Sequence, residues 1–459
     1  MRSSLFVLLL LLAQNLFAQA DIVAQATALI VAKDYRAANI YLDSILKKQK
    51  RNVDALMMKG NVILNAAMDT LQPVFLFSDY NESVLNTELH DKKTHYDKHT
   101  LIQVEAMWQK CLSIDKSRID IRKGLCSVYS MYGMQQPLLQ QIKAIKKQES
   151  PDYGQVYKMA EYARKMKTEV GWDEGMRLYA AIAAMYPSSA GIRCDIASEY
   201  FYKGDFQSCF GWLDSCHRFQ NIDETSYLNG AFIFSQLGYF EDALRWLQRY
   251  DTAFNRSMSL FYKGMMNFAE EGNTTQLRQF VQATDSNFYY DEYRLATYLL
   301  NVDTAFNMNT FYVLMTANTT EWYKPFLYVR AMKKFPGNCE PVYLYGLYQN
   351  QLNNFSAAVQ LLQEGAGCTM NDEQHERWLL NYAYALYKTN DLPNANSYFQ
   401  QLTGSANPFY KQAADYFLLN KADSSDKTSE ALYRLSQAQP ATKYAVLTQQ
   451  HWMNRRGPF

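Results

Sequence analysis

Apolar side chains recur along this chain every three or four positions, in runs of about 14 residues broken by glycine or polar clusters, and strand-like alternation is absent. The run Gln236 to Tyr250, QLGYFEDALRWLQRY, reads as a glycine turn followed by an amphipathic helix. The same pattern stands 34 residues earlier and 34 residues later, so Gly204, Gly238 and Gly272 are evenly spaced. Other columns keep that period: Ala163, Ala197 and Ala231; Trp172, Phe206 and Phe240; Gly175, Cys209 and Ala243; Tyr200, Phe234 and Phe268; Tyr179, Leu213 and Leu247. Each period therefore predicts two helices joined at the glycine, which ends the first helix by taking a left-handed conformation at little cost. The small residues on both helices let the backbones approach. Neither helix buries its apolar stripe alone, so stacked neighbours must supply the core.

A fixed period of this size is the signature of a repeat architecture. The chain resembles the tetratricopeptide repeat family, here in a form that reads as an exported bacterial member. The residues that carry the resemblance are Ala231, Phe234, Gly238, Phe240, Ala243 and Leu247. Near the N-terminus they become Ala26, Leu29, Tyr35, Ala38 and Leu42, with Gly60 opening the next unit. Toward the C-terminus they become Gly346, Phe355, Ala358 and Leu362, then Ala383, Leu392, Ala395 and Phe399, at a spacing of 37. The resemblance implies an all-α fold, a right-handed α-solenoid of stacked antiparallel helix pairs. It divides the chain into repeat units at 21–68, 99–286 and 339–440, an irregular insertion at 69–98, degenerate helical units at 287–338 that contain Pro325, and a capping helix and tail at 441–459. Leu277 stands where a small residue is expected, which marks that unit as degenerate.

The N-terminus changes the picture. Arg2, the apolar run Leu5 to Ala13 and the small-x-small site Ala18-Gln19-Ala20 form a secretory signal peptide, residues 1–20, too short to span a bilayer. Cleavage near Ala20 leaves Asp21 first. The first cysteine is Cys111, so no thiol stands near the cleavage site for lipid attachment. The expected product is exported, periplasmic or secreted, with no transmembrane segment. Lys plus Arg number 46 against 45 Asp plus Glu, a balance that gives no footprint for nucleic acid.

Catalytic signatures are missing: no G-x-S-x-G, no P-loop and no G-x-G-x-x-G. The chain therefore reads as no enzyme, with no cofactor and no metal. The segment ELHDKKTHYDKHT carries His90, His95 and His99 with Asp91 and Asp97, and His95 and His99 share a helical turn. A solvated insertion is favoured there over a metal site, because no H-E-x-x-H stands in it. Of seven cysteines, Cys111, Cys126, Cys209 and Cys216 fall at small-residue slots or on the same face and read as packed thiols. Cys339 and Cys368 flank one helix pair, about equally far from its turn at Asn353, so an antiparallel hairpin brings them together as a disulfide.

What remains is a groove. In arrays of the family that this chain resembles, the first helices line a concave face. That mapping places Arg164, Lys167, Phe201, Phe232, Tyr262, Tyr343, Tyr384 and Tyr387 in it. Rings with a few cations suit an extended protein or peptide partner. The competing reading is that several of these tyrosines pack between adjacent units. The expected function is a non-catalytic protein-interaction scaffold of the cell envelope. The alternatives are glycan capture, as in the SusD-like helical-repeat nutrient binders, and, less favoured, an enzyme or metal-binding protein with its site in an irregular region.

Overall fold

A computed structural model describes residues 22–69, 73–75, 92–94, 98–148, 153–219, 222–284, 289–302, 306–316, 322–420, 426–439, 442–445 and 447–448. The described residues fall into two compact units, one within residues 22–192 and one within residues 193–448. The leader at 1–20 lies outside the described residues.

The first unit is built from helix pairs: α1 (22–31) with α2 (Tyr35–Lys48), α3 (Val53–Asp69) with α4 (Lys98–Ile114), α5 (Ile119–Met131) with α6 (Gln135–Gln148), and α7 (Tyr153–Val170) with α8 (Trp172–Met185). The expected insertion opens the turn between α3 and α4. Two three-residue strands stand there, β1 (Pro73–Phe75) and β2 (Lys92–Thr94), paired antiparallel with Pro73 opposite Thr94. The helices nevertheless pack as a pair, through Trp108. Its indole fills the space left by two glycines: a Cβ on Gly60 of α3 would overlap the ring, and one on Gly124 of α5 would come within 2.7 Å of it. The indole N–H donates to the Met57 carbonyl at 3.1 Å.

The second unit starts with α9 (Gly191–Lys203) and α10 (Phe206–His217), then α11 (Glu224–Gln236) and α12 (Phe240–Phe254), and α13 (Met258–Glu271) and α14 (Thr275–Ala283). The irregular stretch follows as α15 (Tyr290–Val302), α16 (Met308–Thr316) and α17 (Lys324–Lys334). Regular pairing resumes with α18 (Glu340–Gln351) and α19 (Phe355–Glu364), α20 (Asp372–Lys388) and α21 (Leu392–Leu402), and α22 (Pro408–Asn420) and α23 (Asp426–Ser436). Pro325 sits in the first turn of α17, where its missing N–H costs nothing. Of the expected capping helix and tail, residues 442–445 and 447–448 are described, with 443–445 and 447–448 helical.

The turn repeats to the atom in six of the pairs. The N–H of Gly238 bonds the Ser235 carbonyl, and the next N–H, of Tyr239, reaches back to Phe234. The same two bonds recur at Lys33, Gly133, Gly204, Asn353 and Asn390, each with φ between 58° and 82°. This is a left-handed helix stop that satisfies two end carbonyls. Asp34 and Asp205 then cap the second helix, accepting from the N–H three residues on at 2.9 and 3.1 Å. Gly272 departs from the set: its N–H and the next reach one residue further back, to Phe268 and Asn267. Degeneracy at Leu277 has a matching cause. The small residue has moved to the partner helix, as Gly264, whose Cβ would lie 2.9 Å from the Leu277 backbone nitrogen.

Gly238 isolates the cost of the turn, because a Cβ there meets nothing within 4 Å. Gly238→Ala should lower the unfolding free energy by about 1–2 kcal/mol, through backbone strain alone. Gly238→Asn should cost less, since asparagine already holds this conformation at 353 and 390. Urea unfolding of both variants checks the order; equal losses would remove the left-handed explanation.

Candidate functional site

The first helices carry the candidate groove residues, so their faces are where a partner would sit. In the second unit that face is already occupied by the chain itself. Residues 322–353 lie across α9, α11 and α13. Trp322 packs its ring on Phe232 at 5.1 Å between centroids, and its carbonyl accepts from the Gln236 side chain at 3.2 Å. Phe326, fully buried, stacks on Phe240 at 4.5 Å and meets Tyr262 edge-on at 5.0 Å. Tyr323 meets Phe261 at 5.0 Å, and its hydroxyl donates to Glu292 at 2.8 Å. Arg330 lies over the Phe268 ring at 5.5 Å, and Lys333 pairs with Glu270.

The end of α18 completes the cover. The Tyr348 hydroxyl bonds the Gln236 side-chain oxygen, and the Gln349 amide donates to the Gln236 carbonyl at 3.3 Å. The left-handed turn at Asn353 rests on the left-handed turn at Gly204, and the Asn353 amide donates to the Tyr202 carbonyl at 2.8 Å.

The expected groove residues are corrected accordingly. Phe201, Tyr262, Tyr343 and Tyr384 are buried, and Phe232 is half-buried beneath Trp322. Tyr384 and Tyr387 pack between repeats, against Phe417 at 5.5 and 5.2 Å. Burial pushes the Tyr343 hydroxyl up to about 12, as it does for other enclosed tyrosines. These rings are core, for the reason weighed against them: interior aromatics between stacked helices contribute apolar area that a two-helix unit lacks. The backbone and Cβ of half-exposed Lys167 pack against Gly175 of α8.

Arg164 differs. It sits on α7 in the first unit, donating through Nε to the buried Tyr179 hydroxyl at 3.0 Å and lying over the Tyr157 ring at 5.4 Å. Tyr157 is 46% exposed. Beside it Lys158 pairs with Glu161 at 2.6 Å, and Lys165 reaches the Ser127 hydroxyl of α5 at 3.5 Å. The hydrogen bond from Lys158, then the charges of Lys158, Lys165 and Arg164, hold the Glu161 carboxyl below the ordinary range. This face is open, aromatic and cationic.

A recurring 34-residue helix pair, small residues facing each other and an identical left-handed turn in pair after pair decide the architecture. The fold is a tetratricopeptide-type α-solenoid. No protein-family model matches the chain, and no curated protein does. Solved structures similar to it include pilF of Pseudomonas aeruginosa, at 8% identity over 54% of this chain and 95% of that one, TM-score 0.27. Yeast Tom70 matches at 10% identity over 89% of this chain and 90% of its own, TM-score 0.27. The TPR domain of P58(IPK) matches at 11% identity over 88% and 99%, TM-score 0.23. The repeat architecture is read from the chain's own period and turn geometry.

The helix-pair geometry also sets the cysteines. Cys339 and Cys368 are joined, with Cα atoms 5.4 Å apart. Cys216, expected as a packed thiol, is instead joined to Cys194, with Cα atoms 6.0 Å apart. The signal was available: the two flank the Gly204 turn at similar distances, the same hairpin reasoning that pairs Cys339 with Cys368. Cys111, Cys126 and Cys209 are free and buried, and burial raises Cys111 to about 11 and Cys209 to about 12. Alkylation of the native, unreduced protein should therefore label no cysteine, and denaturation without reductant should release three sites. Labelling of Cys194 or Cys339 under those conditions would contradict the pairing.

Elsewhere, α21, α22 and α23 border a cleft of about 730 Å³ with Leu418, Leu419 and Leu435 on its walls and Lys411, Asp415 and Arg434 at its polar side. Burial raises the Asp415 pKa, and Lys411 pulls it partly back. An acid whose folded pKa is raised binds its proton better when folded, so stability falls as pH rises from the unfolded value through the folded one. Asp415→Asn should raise the melting temperature at pH 7 and leave it unchanged well below the carboxylate range. A gain that persists in acid would show packing, not charge, as the cause.

Of the candidate metal residues, His90, Asp91, His95 and Asp97 lie outside the described residues. His99, exposed on α4, hydrogen-bonds Gln103 at 2.8 Å. Among the described residues no group of three metal-ligating side chains gathers, and no helix is long and apolar enough to cross a membrane.

Proposed function

We propose that this chain is a non-catalytic protein-interaction scaffold, exported to the cell envelope, that seats a protein or peptide partner on the first-helix face of its first unit. The observation that carries this is the contrast along one set of helix faces. Phe232 and Tyr262 of α11 and α13 are covered by Trp322 and Phe326, whereas Tyr157 of α7 is 46% exposed. An exposed ring beside cations supplies contact area at low entropy cost, which is what a recognition face needs. The groups with the largest pKa changes are buried tyrosines and cysteines shifted by enclosure, a packing effect. The leader and two disulfides both support an oxidising compartment outside the cytoplasm.

The test is affinity capture with the tagged mature chain from its native envelope, alongside Tyr157→Asp. The expected result is a specific polypeptide held by the wild type and lost by the variant. Recovery of no polypeptide, with retention on polysaccharide instead, would replace this reading with glycan capture.

A further inference from the structure

We infer that a cavity between the Gly238 turn, α13 and α17 binds an organic cation, an alkylammonium or guanidinium group. The cavity has a volume of about 440 Å³, within the range of small-ligand sites. It belongs to the second unit, so the inference goes beyond the scaffold reading of the α7 face and does not rest on it. Its chemistry is one-sided. Tyr239, Phe240 and Phe326 supply three rings, and Glu241, Asp242 and Glu270 supply three carboxylates. Among the described residues no Lys or Arg lines it. Aromatic rings carry negative faces, so the rings and the carboxylates favour the same charge, and the rings also favour an apolar body. An organic cation has both properties. An anion is repelled, and a neutral ligand gains nothing from the carboxylates.

Helix geometry accounts for only part of this set. Glu241 and Asp242 stand in the first turn of α12, where acidic side chains complement the helix dipole. Glu270 stands in the last turn of α13, where a carboxylate opposes it. Asp242 pairs with Arg245 and Glu270 with Lys333, but both pairs are open to solvent, so a bound cation can take the place of either partner. Glu241 makes no hydrogen bond or ion pair among the described residues. The stacked rings of Phe240 and Phe326, 4.5 Å apart, form the inner wall. Tyr239 at the rim is 50% exposed, which leaves ring area for a ligand.

Isothermal titration calorimetry of the full mature chain tests the inference, with choline as one probe and an acetyl-Ala-Arg-Ala-amide peptide as the other. Saturable binding of at least one probe is expected, about tenfold weaker for Glu241→Gln and for Tyr239→Ala. Choline's uncharged analogue, with tert-butyl in place of the trimethylammonium group, should bind about tenfold more weakly than choline. Tyr433→Ala, which removes an exposed ring of α23, should bind as the wild type does. If Tyr239→Ala fails to fold, Tyr239→Leu carries the same expectation. Tighter binding of choline than of the peptide makes the ligand a free small molecule, and the reverse order makes it a side chain of a polypeptide. No saturable heat from either probe, equal affinity of the wild type and either cavity variant, or equal binding of choline and its uncharged analogue would overturn the inference.

Discussion

Phe326→Ala is expected to lower the unfolding free energy by about 3–5 kcal/mol, the range for deleting a buried aromatic side chain. The ring is fully buried and touches aromatic partners on two helices, Phe240 at 4.5 Å and Tyr262 at 5.0 Å. Its removal leaves a cavity between α17 and the α12–α13 surface and withdraws two ring contacts worth about 0.5–1.5 kcal/mol each beyond their area. The effect should be larger than for a ring at a repeat's outer surface, because Phe326 is fully buried among the rings that join residues 322–353 to α11, α12 and α13. Loosening there should also expose Phe232, which Trp322 covers. Urea unfolding measures the loss, and near-ultraviolet circular dichroism reads the released aromatic packing. A loss under about 1 kcal/mol would mean that the segment does not depend on this ring.

Trp108→Ala should cost a similar amount, about 3–5 kcal/mol, in the first unit. Trp108 is 5% exposed and occupies space that glycines on two other helices leave for it, Gly60 on α3 and Gly124 on α5. It also supplies the N–H that satisfies the Met57 carbonyl. Because the insertion lengthens the connection between α3 and α4, the pair relies on this wedge more than a short-turn pair does. Trp108→Phe should recover part of the loss, and Gly60→Ala alone should cost more than an exposed helical glycine-to-alanine change, which ordinarily gains stability. Thermal unfolding of the three variants checks the ranking. A Gly60→Ala protein as stable as wild type would show that the indole can move aside.

Much of the fold was legible in the sequence because its causes are local. The 34-residue period, the turn at Gly204 and Gly238, and the small columns around Ala231 and Ala243 act within one helix pair, so a single sequence displays them. The disulfide at Cys339 and Cys368 follows from the same hairpin geometry. The candidate site was less legible. Helical spacing places Phe232 and Tyr262 correctly on the first helices, but what covers them, Trp322 and Phe326, comes from an off-register segment tens of residues away. Nothing in the local pattern of residues 287–338 announces where that segment docks. Tyr157 was missed for a related reason. It lies six residues before Ala163, where the aligned columns begin on α7, and its value comes from Arg164 stacking above it, which only the folded chain displays.

The first-helix face is self-occupied in the second unit, and we propose that the α7 face of the first unit seats a partner. Site-specific photo-cross-linking in the native cells tests it most directly, with a photoreactive phenylalanine analogue placed in turn at Tyr157, Phe232 and Tyr262. Position 157 should yield a cross-linked partner polypeptide, and positions 232 and 262 should yield only intramolecular links to residues 322–353. Partner adducts from 232 or 262, with none from 157, would contradict the account.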